Sequence, residues 1–378
     1  MTASESLNRS GSKHQRCEIS HVVIVSPEGE KFGGGIGTVV GLISKALPGA
    51  IPGIKVTVIN TRGSQWNKYW IINFGQSVVR LFIIIASGSP DVIHLNVSER
   101  GSFLRKGVLL CIGRLFKIPV ILHHHGAELI TSYRNGSKLL RIIVRAAVRN
   151  SNFNIVLGEI WREFLVCELD VDPDRVAVLY NATTDKRIAR VDQSTDRSEP
   201  FRLLFLANLI PRKGVGELLT AVAQLKGIGH DLKLTLVGGG QVERYRRNCD
   251  ELGISIVCNF TGWIPAGQVV DFLNDADALV LPSFDEGLPM SILEALSAGI
   301  PVIATRVGAI PEVLTSGVDS LLLEPGDVIA LTSAIRRIIT EPNLRQDLAC
   351  AGRSLYESSF TQSIYIKKIL DIYRAASI

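Results

Sequence analysis

Two carboxylates with seven residues between them, Glu286 and Glu294, mark the stretch Asp285-Glu286-Gly287-Leu288-Pro289-Met290-Ser291-Ile292-Leu293-Glu294. An ionised carboxylate accepts from two hydroxyls at once, which suits sugar and ribose rings rather than phosphate. The apolar residues 278–282 ahead of it read as a buried strand, Pro289 suits the first turn of a helix, and Gly299 stops that helix after Leu296. A helix start offers unpaired N–H groups and a positive dipole end to anionic oxygens. Gly287, Leu288 and Met290 are therefore placed where a diphosphate could lie without a metal ion.

A second constellation, Asn208-Leu209-Ile210-Pro211-Arg212-Lys213-Gly214, follows an expected strand at 201–207. Lys213 suits a phosphate as a point charge and Arg212 through its fork of donors. In the first half, a Gly-rich loop from Pro27 to Gly37 follows an expected strand at 19–25, with a helix resuming at Thr38. Gly34 and Gly35 let backbone approach a phosphate closely. Their spacing does not fit the G-x-G-x-x-G dinucleotide fingerprint, so a flexible entry loop is the alternative.

At 123–125 three histidines end another expected strand. Alternation of side chains leaves His123 and His125 as the one pair on a common face, and a metal reading lacks a third ligand at diagnostic spacing. His125, beside Gly126 at the strand exit, is better placed to touch a substrate hydroxyl, against the bland reading of a satisfied structural histidine. Asn96, after the strand at 91–95, is an acceptor-side candidate.

The elements that must hold these residues alternate. Strands are expected at 54–59, 91–95, 118–123, 154–157 and 176–179, then at 232–237 and 300–304, with helical periodicity between most of them. Such alternation implies α/β architecture, parallel sheets covered on both faces, and ligands beyond the carboxyl ends of the strands. The length, 378 residues, suits two domains. Expected boundaries are a disordered tail at 1–16, a first domain at 17–180, a polar linker at 181–200, a second domain at 201–360 and a C-terminal helix at 361–378.

A formal charge of +5 is too slight to argue for nucleic acid. Six scattered cysteines without Cys-x-x-Cys suit reduced, mostly buried thiols in a cytosolic protein. The polar N-terminus lacks the apolar run of a signal peptide, and the longest apolar run, at 78–86, contains Arg80 and is too short to span a bilayer. Arg134, Lys138, Arg141, Arg145 and Arg149 form a basic stripe at helical spacing, with Arg100, Arg105, Lys106, Arg114 and Lys117 as a second basic region. Such a face can rest on anionic headgroups or simply be solvated over an apolar core.

The second half resembles the donor domain of the family-4 retaining glycosyltransferases. The resemblance rests on the Glu286 and Glu294 pair together with Pro211-Arg212-Lys213-Gly214, Leu236-Val237-Gly238-Gly239-Gly240, Phe260-Thr261-Gly262-Trp263, residues 298–304 and Gly308-Ala309-Ile310-Pro311-Glu312. It covers roughly residues 201–314, and the first half adds mainly Gly34-Gly35 and His125-Gly126. It implies the GT-B architecture, two facing Rossmann-like domains with a cleft between. It also implies transfer of a hexose from a nucleoside-diphosphate sugar (GDP-mannose or UDP-hexose) with retention, needing neither cofactor nor metal. Lys213 would bind the donor diphosphate, Glu294 the ribose, Glu286 a sugar hydroxyl, Gly35 the distal phosphate and His125 the sugar. One departure is Asn208, where the family usually carries Arg, which leaves Arg212 to compensate. The acceptor expected is a lipid-linked saccharide at the cytoplasmic membrane surface, on a route to exopolysaccharide. A nucleotide-sugar epimerase, a non-catalytic sugar-nucleotide-binding subunit and a metal enzyme built on His123 and His125 are the rival readings.

Overall fold

The computed structural model describes residues 19–27, 34–62, 69–98, 101–187 and 199–377. The expected tail at 1–16, Arg100, and most of the expected linker and Gly-rich loop lie outside those residues.

Two six-stranded sheets, parallel throughout, organise the chain. The first contains β1 (His21–Ser26), β2 (Lys55–Asn60), β3 (Val92–Val97), β4 (Val120–His124), β5 (Phe153–Val156) and β6 (Val176–Val178), ordered β2-β1-β3-β4-β5-β6. Its helices are α1 (Gly35–Ala50), α2 (Trp70–Ser87), α3 (Gly101–Leu115), α4 (Leu129–Arg134), α5 (Lys138–Asn150) and α6 (Glu159–Glu163). The second contains β7 (Phe201–Leu206), β8 (Leu232–Val237), β9 (Cys258–Gly262), β10 (Ala278–Leu281), β11 (Val302–Thr305) and β12 (Leu321–Leu323), ordered β12-β11-β10-β7-β8-β9. Its helices are α7 (Val215–Gly227), α8 (Val242–Glu251), α9 (Val269–Asp275), α10 (Met290–Ala298), α11 (Ile310–Val313), α12 (Val328–Thr340), α13 (Pro342–Ser359) and α14 (Gln362–Ala376).

Strand periodicity divides the first sheet's burial between two cores. Val23, Val25, Ile93 and Leu95 face α2, α3 and α5, whereas Val22, Ile24, Val92 and Ile121 face α1 and α14. The last helix thus crosses back from the second half to the first sheet, where Tyr365, Ile369 and Tyr373 are buried. At the crossing, Thr183 N–H donates to the Phe360 carbonyl and the Tyr356 hydroxyl to the Thr183 carbonyl. The two passes of chain between the sheets therefore run side by side.

Three expectations need correction. Pro289 is the residue before α10 and not in its first turn, because its ψ of 131° is extended. The helix α1 starts at Gly35 rather than Thr38, since Gly34 at φ 118° turns the chain directly into it. Of the described cysteines only Cys249 is fully buried, while Cys111, Cys167 and Cys350 are exposed on helices, so the thiols are not mostly buried.

Candidate active site

The donor-side constellation is assembled by two loops at the carboxyl ends of β7 and β10. After β7 the chain makes a short 3-10 turn, Pro211–Lys213, ending in Gly214 at φ 67°. Only glycine fits there, because a Cβ would lie 1.9 Å from the Pro282 carbonyl oxygen. That approach stitches the loops together, with Phe284 N–H donating to the Arg212 carbonyl at 2.8 Å. It also brings Lys213 Nζ to Glu286 Oε1 at 2.5 Å, and Ser283 Oγ donates to the same oxygen at 2.7 Å. The two residues expected to grip phosphate and sugar separately therefore form one part-buried ion pair.

Arg212 takes two carboxylates, Asp285 at 3.4 Å and, from the loop after β4, Glu128 at 3.7 Å. Burial outweighs the Arg212 charge and lifts the Asp285 pKa. Asn208 is exposed at the end of β7. Gly287 and Leu288 are buried in the approach to α10, and Met290 opens that helix. Across the cleft, a Cβ on Gly35 would stand 3.9 Å from Met290 Cγ, so the start of α1 faces the start of α10.

Glu294 lies inside α10, 8% exposed; its backbone carbonyl accepts from the Ser297 hydroxyl at 2.8 Å, while its carboxyl has no hydrogen-bond partner among the described residues. Burial pushes its carboxyl up to about 7, against a smaller opposing effect of Lys186. A buried carboxylate without a donor is costly unless something supplies hydroxyls.

On the first sheet, His123 and His125 share a face and their rings stack at 4.0 Å, while His124 points the other way to Asn154 Oδ1 at 3.1 Å. His125 Nε2 meets Asn96 Oδ1 at 2.8 Å, and the Asn96 amide donates to the Val25 carbonyl, which makes Oδ1 the acceptor and puts the proton on Nε2. Behind it, His94 joins His123 Nδ1 at 3.1 Å and the Tyr373 hydroxyl of α14 at 2.7 Å. Burial holds His125 and His94 down to about 3 and His124 to about 4. His125 is thus a neutral imidazole throughout the physiological range. No group of three or more His, Cys, Asp or Glu arranged to hold a metal occurs among the described residues.

Both halves match known families in chain order. Residues 17–182 match the family described as "Glycosyl transferase 4-like domain" and residues 187–355 the one described as "Glycosyl transferases group 1". The chain belongs to the GT-B glycosyltransferases of group 1 and 4-like type. Among curated relatives, a lipopolysaccharide core biosynthesis glycosyltransferase, LpsD, of Rhizobium meliloti is 30% identical over 53% of this chain and 57% of its own length. The amylovoran biosynthesis glycosyltransferase AmsK of Erwinia amylovora is 28% identical over 46% and 44% respectively. The chain thus matches about half the length of these two proteins. Among solved structures, sucrose-phosphate synthase from Thermosynechococcus elongatus superposes with a TM-score of 0.77 at 20% identity, covering 94% of this chain and 98% of that one. HepE of Anabaena in complex with UDP-glucose gives 0.71 at 18% identity, covering 93% and 98%. These two likenesses establish the GT-B fold.

Within that fold, one tie across the cleft escapes inspection of the sequence. Glu312 of α11 reaches across the cleft to accept from the backbone N–H of Glu159 at 2.8 Å and the Tyr180 hydroxyl at 3.2 Å. A carboxylate at the amino end of α6 ties the second domain to the first. Gly158 permits this, since a Cβ there would come within 2.9 Å of both Glu312 oxygens. The Gly-Ala-Ile-Pro-Glu motif pointed to this residue, but partners so distant in sequence gave its role no local signal.

Proposed function

We propose that the protein is a retaining, metal-independent glycosyltransferase that moves a hexose from a nucleoside-diphosphate sugar to a hydroxyl of a lipid-linked saccharide in polysaccharide biosynthesis. The observation that carries this reading is the buried carboxylate of Glu294, unpartnered among the described residues, on the helix that follows the Lys213–Glu286 pair. Glu294 takes the ribose hydroxyls and Lys213 the diphosphate, while Glu286, freed from part of its ion pair, accepts from the transferred sugar. Charge builds on the leaving phosphate as the glycosidic bond breaks, so Lys213, Arg212 and the Gly35 backbone act where it develops. The departing phosphate oxygen takes the acceptor's proton. Neutral His125, its Nε2 proton held by Asn96, turns its other ring atoms to the sugar.

Release of nucleoside diphosphate from a panel of GDP- and UDP-sugars, with and without a membrane lipid extract, tests the reading. Release that favours one donor and needs the extract supports it. Donor binding without release would instead make the chain a non-catalytic binding subunit, and an isomerised nucleotide sugar an epimerase.

Peripheral contact with an anionic membrane, on the cytoplasmic side, belongs to the same reading. Part of the expected basic stripe is engaged elsewhere, because Arg145 and Arg149 lie 3.8 and 3.4 Å from Asp170 and Arg134 pairs with Glu168. The better support is α2, an 18-residue helix apolar enough in length and composition to cross a bilayer, yet lying on the sheet through Ser77, Leu81 and Ile85. Its outer face exposes Ile71, Ile72, Val79 and Ile83, and Phe82 meets Phe116 beyond α3 at 5.9 Å. Leu139 and Ile142 of α5, also exposed, flank Arg141. Such a surface suits the interface plane, apolar side chains inward and cations at the headgroups. Ile83→Glu and Arg141→Glu each lower binding to phosphatidylglycerol vesicles by about tenfold in flotation; binding unchanged in both removes membrane contact from the proposal.

A further inference from the structure

The two side chains assigned to the transferred sugar belong to different domains, Glu286 to the loop after β10 and His125 to the end of β4. Their separation depends on how those loops meet. Gly287, next to Glu286, packs on the first domain, where a Cβ would lie 2.8 Å from Leu157 Cδ1 and 3.9 Å from the His125 carbonyl oxygen. Strands β4 and β5 pair with His123 opposite Ile155, so Leu157 and His125 lie at one level of the sheet. On the far side of Gly287, the Asn181 amide donates to the Leu288 carbonyl at 2.8 Å in a buried contact. The Glu286 loop therefore seats directly against the strand ends that carry His125. Apolar contact fixes how closely they approach, but it has no direction, and surfaces in such contact can slide.

Direction comes from Glu312. Its Oε2 accepts from the Glu159 N–H at 2.8 Å and the Tyr180 hydroxyl at 3.2 Å, and its Oε1 from the Ile160 N–H at 3.4 Å. Glu159 and Ile160 follow β5 and Tyr180 follows β6, so one carboxylate grips the first domain at two neighbouring strand ends. On its own side, α11 is locked to the sugar loop. Gly308, at φ 56°, lies so close that a Cβ would stand 2.0 Å from the Glu286 carbonyl oxygen, and Ala309 N–H donates to the Gly287 carbonyl at 3.0 Å. The loop and α11 thus form one body, and any shift of Glu312 on the first domain is a shift of Glu286 relative to His125.

We propose that Glu312 is a positioning residue for the transfer, holding Glu286 opposite His125 through its bonds to the Glu159 and Ile160 N–H groups and to Tyr180, while touching neither donor nor acceptor itself. The inference rests on the transferase reading and deepens it. Gly158 provides an independent probe of the same contact from the other domain. Its φ of −177° is extended backbone that alanine adopts equally well. The atoms nearest an added Cβ are the two Glu312 carboxylate oxygens and Ala309 Cβ, at 2.8 to 2.9 Å, all of the second domain. Gly158→Ala therefore pushes α11 away while the first domain keeps its backbone.

The test combines turnover, nucleotide binding and amide hydrogen exchange on wild type, Glu312→Ala, Glu312→Gln, Gly158→Ala and the double variant Gly158→Ala with Glu312→Ala. In Glu312→Ala, kcat for release of nucleoside diphosphate falls about tenfold, as when a reacting group is misplaced by a change away from the chemistry. Affinity for nucleoside diphosphate stays within about twofold, because Lys213 and Glu294 both belong to the second domain and are independent of the tie. Glu312→Gln keeps one accepting oxygen and loses only about threefold in kcat. Gly158→Ala falls as far as Glu312→Ala, and the double variant falls no further, because both changes break one contact. The Glu159 and Ile160 amides exchange about tenfold faster in Glu312→Ala and Gly158→Ala than in wild type, which reads the contact without turnover. Wild-type kcat in Glu312→Ala, or losses that add in the double variant, overturns the positioning role. So does a loss of nucleotide affinity and Tm in step with kcat, which would make Glu312 a structural residue only. No release by wild type from any nucleotide sugar would instead overturn the transferase reading and the positioning role with it, while the exchange rates still report whether Glu312 ties the domains.

Discussion

Lys213→Ala lowers nucleoside diphosphate release by about 10²- to 10³-fold, the loss expected when one preorganised charge is removed from a developing oxyanion. The same change destabilises the fold, because it leaves the Glu286 carboxylate, 8% exposed at the side chain, without the cation 2.5 Å away. Breaking one partner of a buried pair costs about 3–5 kcal/mol, some of it recovered here through the Ser283 hydroxyl. Lost activity in the single variant is therefore ambiguous by itself. The double variant Lys213→Met with Glu286→Gln resolves this: two neutral side chains of similar size recover most of the stability, and activity stays at the level of the single variant or below. Initial rates and thermal melts on the three proteins check it. A double variant that regains more than a tenth of wild-type activity would reduce the pair to a structural clip.

This ion pair illustrates how far the sequence could be read. The loop after β7, the loop after β10 and the helix between Pro289 and Gly299 are local units, each announced by an apolar run, a turn residue and a charged group, and they were legible for that reason. The alternation of strands and helices gave the two-sheet architecture in the same way. That Lys213 and Glu286 would hold each other was not legible, since it depends on Gly214 packing against Pro282, a contact between segments far apart in the chain. The strand β12, three leucines after Ser320, is too short to show a period. Lys106 and Ile83 fail in opposite directions: a lysine in a basic run is buried, and isoleucines in an apolar run are exposed. Composition sets what a segment can bury, but the face that meets the sheet decides what it does bury. Glu294 was singled out by its spacing, whereas the lack of a partner for its carboxyl among the described residues is a property of the folded chain alone.

That lack of a partner makes affinity and stability respond to pH in opposite directions. Burial raises the Glu294 carboxyl from its ordinary value near 4.5 to about 7. Between those values the folded protein holds a proton that the unfolded chain has lost, so the contribution to stability is full below about 4.5 and is lost as pH rises through about 7. The full swing is on the order of 3 kcal/mol. Glu294→Gln removes it, and the variant melts a few degrees above wild type at pH 8 while matching it at pH 4.5. Donor binding runs the other way, because only the ionised carboxylate accepts from both ribose hydroxyls. Wild-type affinity for the nucleotide sugar, whose diester phosphates do not titrate in this range, falls up to tenfold per pH unit below about 7. Glu294→Gln binds about 100-fold more weakly at pH 8, the loss of two charge-assisted bonds, and shows no pH dependence. Calorimetry of the nucleotide sugar from pH 5.5 to 8 reads both effects. Wild-type affinity that stays flat across that range would mean that Glu294 does not hold the ribose, and its burial would then need another explanation in the packing of α10.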